Sequence, residues 1–140
     1  MRDLLGRSPE GPTVGEKLIC LRNDRKKLII NGGLWKAERV KTNKDTFSMR
    51  VASIDEASDL PVKVKVRKEF FEGTENNIPW EEKKGTQEFT YGYAITCHKA
   101  QGSQWNNTIV FDEAGAFRDE AHRWRYTAIT RAAESVTLVV

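Results

Sequence analysis

Residues 94–115, AITCHKAQGSQWNNTIVFDEAG, gather side chains able to do chemistry. A His98-Lys99 pair precedes a Gln101-Gly102-Ser103 turn. An apolar strand then runs into Asp112-Glu113. Carboxylates at the end of such a strand can hold magnesium, provided there is a phosphate for the metal to bridge. The phosphate cradle that serves this purpose is G-x-x-x-x-G-K-[ST], with backbone N–H groups and a lysine around the phosphates. Gly6–Thr13, GRSPEGPT, has both glycines and the threonine at that spacing. Pro12 stands where the lysine must be and removes a backbone N–H as well. A buried strand should lead in, and the residues ahead of Gly6 are too few to form one. The cradle is excluded, and Asp112-Glu113 read as a solvated pair or as a cap on the next helix. No metal site is expected. Cys20 and Cys97 are too few for a disulfide framework, and Cys97 beside His98 has no further ligand at zinc spacing.

The elements that must position these residues fall into two parts. Residues 1–13 read as an extension, and 14–90 as a small β domain. In EKLICLRN, Leu18 and Cys20 share one side and Ile19 and Leu21 the other. Asn31-Gly32-Gly33 between KKLII and LWKAERV predicts a tight hairpin turn, because Asn-Gly supplies positive φ angles. TFSMRVASI and PVKVKVRKEF alternate strictly, with Val62, Val64 and Val66 on one face and Lys63, Lys65 and Arg67 on the other. Several short strands at close spacing suggest a small barrel. Residues 72–86 read as a polar loop. From 91 to 140 the pattern changes. YGYAITCHKAQG is weakly helical, NTIVF a short buried strand, RDEAHRWRYTAITRA a helix and SVTLVV a final strand. Strand, helix, strand is the unit of a parallel α/β sheet, here only part of one. Asp119 and Glu120 would complement the positive N-terminal end of that helix.

Charge is unevenly spread along the chain. Residues 1–68 hold 16 Lys and Arg against 9 Asp and Glu, and residues 69–140 hold 7 against 11. A basic half favours a polyanion through counterion release. The alternative is a solvated β surface whose lysines protect strand edges. No apolar run approaches the ~20 residues of a membrane span, and the N-terminus has no secretory h-region, so the chain reads as cytoplasmic.

Order and motif together suggest a family. TCHKAQGSQW (Thr96–Trp105) followed by YTAITRA (Tyr126–Ala132) resembles motifs V and VI of superfamily 1 DNA helicases, and most of all the RecD-like branch. In that branch a small Src-homology-type barrel precedes motif V, and GEKLICLRND…INGG resembles its opening strands. The implied fold is α/β plus β: a Src-homology-like β-barrel over 14–90, then part of a RecA-like parallel α/β domain of the P-loop NTPase type over 91–140. The resemblance implies that Thr96 and His98 touch the DNA backbone. Gln101, Gly102 and Ser103 would form a turn that approaches the γ-phosphate of ATP. Arg131 would be the arginine finger, with Tyr126 and Thr130 in support. Gln104 stands where many members carry a glutamate that can hold the ribose; glutamine can hydrogen-bond but carries no charge. The first motor domain's motifs are absent from these residues. The resemblance thus implies the C-terminal part of an ATP-dependent DNA helicase, inactive alone and binding no cofactor alone. ATP and Mg²⁺ would enter only in the intact enzyme. The implied partners are single-stranded DNA and an N-terminal RecA-like motor domain.

The physical chemistry of these residue types agrees. A guanidinium offers a fixed fork of donors and a permanent charge to a phosphoryl group in transfer. Glycine permits close backbone approach to an anion. Threonine and histidine can bond phosphates without reading bases. Basic barrel strands could help guide a single strand. Each residue has a plainer alternative. Arg131 could be a cation at a helix C-terminus, favoured by the dipole. His98 could be a surface histidine and Lys99 a solvated one. Trp80, Trp105 and Trp124 read as packing residues rather than stacking platforms. The different-class alternative for the whole chain is a non-catalytic nucleic-acid-binding or adaptor module derived from a helicase.

Overall fold

The computed structural model describes residues 2–54 and 60–140. The chain divides into two units, Met1–Ala94 and Ile95–Val140.

The first unit is a five-stranded antiparallel sheet. Its strands are β1 (Lys17–Cys20), β2 (Leu34–Thr42), β3 (Thr46–Ser53), β4 (Val62–Arg67) and β5 (Phe89–Tyr91), in the order β4-β3-β2-β1-β5. Ahead of β5, Gln87 forms an isolated bridge with Val66 of the other edge strand, β4. There Gln87 N–H donates to the Lys65 carbonyl at 2.8 Å, and Lys65 N–H donates to Gln87 Oε1 at 2.9 Å. Alternation places Phe47, Met49 and Val51 of β3 inward against Val64 and Val66 of β4, while Lys63 and Lys65 face out. Phe89 and Leu18 are fully buried with them. Each such side chain is worth about 1.5–3 kcal/mol relative to exposure. In β1 both faces are covered, since Leu18, Ile19 and Cys20 are all inaccessible. Cys20 and Cys97 are both free thiols.

Two expectations for this unit need correction. Asn31-Gly32-Gly33 is not the turn of a simple hairpin between KKLII and LWKAERV. β2 pairs directly with β1, and Ile29 only bridges Asp24 across a small loop. Gly32, at φ 86°, turns the chain back so that its N–H donates to the Cys20 carbonyl at 2.9 Å. Residues 72–86 are not plain loop either. After the short helix α1 (Glu69–Glu72) they contain a 3-10 turn over Glu75–Asn77 and the helix α2 (Trp80–Lys83). Trp80 opens α2 with its side chain largely exposed, so it is not a packing residue of this chain.

The stretch resembling a phosphate cradle has a packing role. Gly11 and Pro12 are buried, and a Cβ on Gly11 would lie 2.4 Å from Cζ of Phe47. Arg2 reaches across this segment, donating to the carbonyls of Ser8 and Gly11 at 2.7 and 2.6 Å. It also pairs with Glu16 at 3.1 Å and lies 4.0 Å from the centre of the Tyr91 ring. Glu16 is inaccessible to solvent and also accepts from the Thr13 N–H and hydroxyl, both at 3.2 Å. Burial opposes its charge. Hydrogen bonds from Arg2, Thr13 and Tyr93, with the Arg2 charge, outweigh burial and hold the carboxyl below its usual range.

The second unit is β6 (Trp105–Phe111), a 3-10 stretch over Ala114–Glu120, the helix α3 (Ala121–Ile129) and β7 (Ala132–Val139). β6 and β7 are parallel, from Asn107 opposite Ser135 to Phe111 opposite Val139. The predicted single helix over RDEAHRWRYTAITRA is broken at Arg118, whose φ of 44° and ψ of −112° are not helical. Glu120 precedes α3 and pairs with Arg123 at 3.1 Å. The weak helix expected in YGYAITCHKAQG is instead the last residue of β5, a bend over residues 92–94 and successive turns over residues 97–102. NTIVF is a strand but not a buried one: Val110 is covered, whereas Ile109 and Phe111 are 67% and 68% exposed. Val136 and Leu138 of β7 are also exposed. Parallel strands are ordinarily covered on both faces. Among the described residues no helix is long and apolar enough to cross a membrane.

The Arg2–Glu16 pair sets a pH-dependent stability. A carboxyl whose folded pKa is depressed stabilises fully above its unfolded pKa, about 4.3, and that contribution is lost as pH falls through the lower folded value. Glu16→Gln leaves Arg2 without its counter-charge and should cost about 3 kcal/mol at pH 7. Urea denaturation at pH 7 and at acid pH checks this: the gap to the unmodified chain should be wide at neutrality and narrow once Glu16 protonates.

Candidate functional site

The residues singled out in the second unit lie on a turn and at the end of a helix, and backbone bonding joins the two. The Ala100 N–H donates to the carbonyls of Thr96 and Cys97, at 3.1 and 3.2 Å, and the Ser103 N–H to that of Ala100 at 3.1 Å. The Lys99 N–H donates to Thr96 Oγ1 at 3.3 Å, which fixes the start of the turn. Ala100 is buried beneath. Gly102 closes the turn at φ 84°, a left-handed conformation that costs a residue with a Cβ about 1–2 kcal/mol. Nothing lies within 4 Å of where its Cβ would be, so the glycine is needed for its conformation and the space above it is open.

At the other end, α3 stops at Ile129, and the Thr130 hydroxyl donates back to the Tyr126 carbonyl at 2.8 Å. Arg131 follows. Its Nε donates to the Thr127 carbonyl at 3.0 Å, its Nη1 to the Ser103 carbonyl at 3.2 Å and its Nη2 to Thr130 Oγ1 at 3.1 Å. The Trp105 N–H donates to the Arg131 carbonyl at 2.9 Å, and Gln104 Nε2 to the Thr130 carbonyl at 3.3 Å. Residues 103–105 and 130–131 are therefore zipped together where β6 and β7 begin. Arg131 is half-buried, and all three of its acceptors are uncharged oxygens. It is neither sunk in a core nor neutralised by these partners.

The structure thus brings Ser103, Gln104 and Arg131 together, with Thr130 beside them. Gln101 and Gly102 are exposed on the adjoining turn. Thr96 and His98 are exposed at the start of that turn. The His98 ring is tilted 5.8 Å from Phe117, which stacks on Trp124 at 5.9 Å. Cys97 Sγ lies 3.7 Å from the Trp124 carbonyl. Asp112 acts as a cap: Oδ1 accepts from the Ala114 N–H at 2.9 Å and Oδ2 from Arg125 at 2.9 Å. Its pKa is lowered, first by the Ala114 N–H, with Arg125 adding to the effect against some burial. Among the described residues no group of three His, Cys, Asp or Glu could hold a metal ion. Two participants escaped the sequence reading. Thr127 lies four residues before Arg131, so helical spacing alone could have pointed to it. Phe117 carries no local signal, because its contact with His98 spans the whole of β6.

This joined pair of segments lies within a stretch that matches a known family. Residues 91–139 match the UvrD-like helicase C-terminal domain. The match covers about a third of the chain and supports a superfamily 1 helicase C-terminal segment there. Two solved structures similar to this chain are both of Pif1 helicases. One, from Candida albicans, is 15% identical with a TM-score of 0.55, over 98% of this chain and 35% of that one. The other is described as the structural basis for DNA unwinding at forked double-stranded DNA by two coordinating Pif1 helicases. It is 18% identical with a TM-score of 0.52, over 90% of this chain and 27% of that one. At these identities the likeness concerns the fold alone. An uncharacterized protein of Methanocaldococcus jannaschii is 39% identical over 54 residues, which are 39% of this chain and 5% of that protein. The chain spans about a third or less of each of these relatives.

The position of Arg131 can be tested without any ligand. Burial raises the Cys97 thiol pKa, and the Arg131 charge partly offsets this. Arg131→Gln should therefore slow alkylation of Cys97 near pH 8. Cys20, pushed by burial to about 11, should stay unlabelled in both proteins. Mass spectrometry of iodoacetamide-treated protein reads both sites. Equal Cys97 rates would mean that the guanidinium does not face that thiol.

Proposed function

We propose that this chain is the C-terminal part of an ATP-dependent, RecD-like DNA helicase of the exodeoxyribonuclease V alpha type. In this reading residues 14–90 are a Src-homology-like barrel and residues 91–140 part of a RecA-like motor domain. Arg131 is the arginine finger. The observation that carries the reading is the state of its guanidinium, half-buried and oriented by the Ser103, Thr127 and Thr130 oxygens without a carboxylate among them. A cation so held keeps its field for an anion and needs little reordering to meet one. The exposed Ile109, Phe111, Val136 and Leu138 are faces that further strands of a RecA-like sheet would cover.

The donor set fits a triphosphate. Arg131, the Gln101 side chain and the backbone at Gly102, with open space above it, could meet phosphate oxygens, and Gln104 lies beside them. Magnesium and the phosphate cradle would come from an N-terminal RecA-like domain, which makes ATP hydrolysis a property of the pair. Bound Mg·ATP supplies the phosphoryl group and its leaving charge; this chain's part is to place the Arg131 charge beside it. Ser103 holds that arginine through its carbonyl. Thr96 and His98, exposed on the same turn, are the residues to meet a single-stranded DNA backbone. Binding at one end of the turn can then be felt at the other, where Gly102 and Ser103 lie.

The alternative, a non-catalytic nucleic-acid-binding or adaptor module, is favoured by the basic residues 1–68 and predicts DNA binding that ignores Arg131. The test combines the chain with a P-loop-bearing N-terminal motor domain and measures DNA-stimulated ATP turnover. Arg131→Ala should lower kcat by about 10³-fold. Arg131→Lys should not restore it, since an ammonium lacks the fork that spans three acceptors. Turnover unchanged by Arg131→Ala would remove the finger, and failure of the two domains to associate on gel filtration would favour the adaptor.

A further inference from the structure

The carbonyls at the end of α3 need donors, and two side chains supply them. The last turn of a helix leaves its C=O groups without partners inside the helix. Here the Tyr126 carbonyl accepts from the Thr130 N–H and hydroxyl, at 3.0 and 2.8 Å. The Thr127 carbonyl accepts from Arg131 Nε at 3.0 Å, and that of Ala128 from the Arg131 N–H at 3.3 Å. The Thr130 carbonyl, just past the helix, is reached from a different segment. Gln104 Nε2 donates to it at 3.3 Å from 26 positions away. Thr130 thus carries Gln104 on its carbonyl and Arg131 Nη2 on its hydroxyl. Two side chains cross between the start of β6 and the end of α3, in opposite directions: Arg131 to the Ser103 carbonyl and Gln104 to the Thr130 carbonyl.

Gln104 makes its bond as a neutral donor, and the neutrality matters as much as the bond. Glutamate has nearly the same shape, but its ionised carboxylate has nothing to donate. Its charge would also face the negative end of the α3 dipole. The group it would find is Arg131. The guanidinium reaches the carbonyl of Ser103, next to Gln104 in the chain, and the hydroxyl of Thr130, on the residue that Gln104 itself holds. A fork of donors in that place binds a carboxylate bidentately. Carboxylates that this unit does set against arginines are turned elsewhere, Asp112 to Arg125 at 2.9 Å and Glu120 to Arg123 at 3.1 Å. Among the described residues Arg131 has no such partner.

We propose that Gln104 is a positioning residue for Arg131. Its amide fastens the helix end on which the guanidinium rests, and its lack of charge leaves the guanidinium unpaired. The inference rests on the reading of Arg131 as the group that meets a triphosphate, and assigns the residue that keeps that charge available. Gln104 need not touch the nucleotide for this. It acts through Thr130, and through the carboxylate that it keeps out of the site.

The test compares Gln104→Glu with Gln104→Met. Both lose the donor at similar length, and only the first adds a charge. In the chain alone, carbon-13 NMR follows the titration of the introduced carboxyl. It should titrate below the ordinary glutamate value of about 4.3 and return to it when Arg131→Gln is added. The chain is then combined with a P-loop-bearing N-terminal motor domain, and DNA-stimulated ATP turnover is measured. Gln104→Glu should lower kcat at least tenfold with little change in KM, the mark of an interaction made in the transition state. Gln104→Met should lower it about threefold, the effect of one lost hydrogen bond. Gln104→Glu added to Arg131→Ala should cost nothing further, because both act on one group. Equal losses in the two Gln104 variants would mean that the residue only fastens the strands, and would overturn the proposal. A raised KM with kcat intact would overturn it too, since Gln104 would then be holding the nucleotide. So would an introduced carboxyl that titrates at its ordinary value. Gln104 is exposed, so the melting temperature should hold. Should Gln104→Glu fail to fold, Gln104→Lys restores a donor without an anion and should keep more kcat than Gln104→Met; a lower kcat would overturn the proposal. Turnover unchanged by Arg131→Ala would sink the motor reading, whereas the NMR titration judges the Gln104–Arg131 relation without any nucleotide.

Discussion

The second unit depends on one guanidinium shared among three uncharged oxygens. Arg131 draws the Ser103 carbonyl from the turn, the Thr127 carbonyl from α3 and the Thr130 hydroxyl from the helix end into one cluster. The backbone repeats the join, with the Trp105 N–H on the Arg131 carbonyl. The position of the side chain is therefore tied to the register of β6 on β7. A shift of that register would move the guanidinium away from Ser103. Because its acceptors are neutral, the arrangement fixes direction without cancelling charge. A carboxylate in their place would have satisfied the arginine electrostatically and left little field for a ligand.

The first unit shows the opposite use of arginine. Arg2 meets a fully buried carboxylate, two carbonyls and an aromatic ring, so its charge is spent inside the fold. It holds residues 2–16 against the sheet, with Gly11 pressed onto Phe47. This explains the failed phosphate cradle in structural terms. The glycine that looked ready to approach a phosphate approaches a phenylalanine ring instead. Pro12, with no N–H to give, is buried beside it.

Much of this was legible in the sequence, and where it was not the reason is physical. Alternation placed Val64 and Val66 inward and Lys63 and Lys65 outward, because a strand's side-chain period leaves no other arrangement once one face is buried. The βαβ order of the second unit followed from NTIVF, the helical pattern and SVTLVV. The residues of the two motifs were named through the helicase resemblance, but their joining was not visible. Ser103 and Arg131 are 28 positions apart and meet only because two parallel strands begin side by side. Buried Glu16 was equally invisible, since its partner lies at the far end of the N-terminal segment. The Asn-Gly signal around residue 31 misled because a turn signal says where the chain reverses and not which strands it joins. The segment before β6 has helical residues but is stopped by left-handed Gly102 after its last turn. The apolar pattern of β6 and β7 promised burial that the chain itself does not supply.

The places where the fold departs from what would stabilise it alone share a feature. Apolar side chains of a parallel pair lie open, and a half-buried guanidinium faces neutral oxygens. Each carries a cost in isolation: exposed apolar area, or desolvation of a charge without a counter-charge. Neither is forced by topology. Polar residues at Ile109 and Phe111 would keep β6, and a shorter side chain at Arg131 would keep the Trp105–Arg131 backbone bond. The costs differ in kind, and so do the groups that would relieve them. An apolar sheet would relieve the first and a phosphoryl group the second.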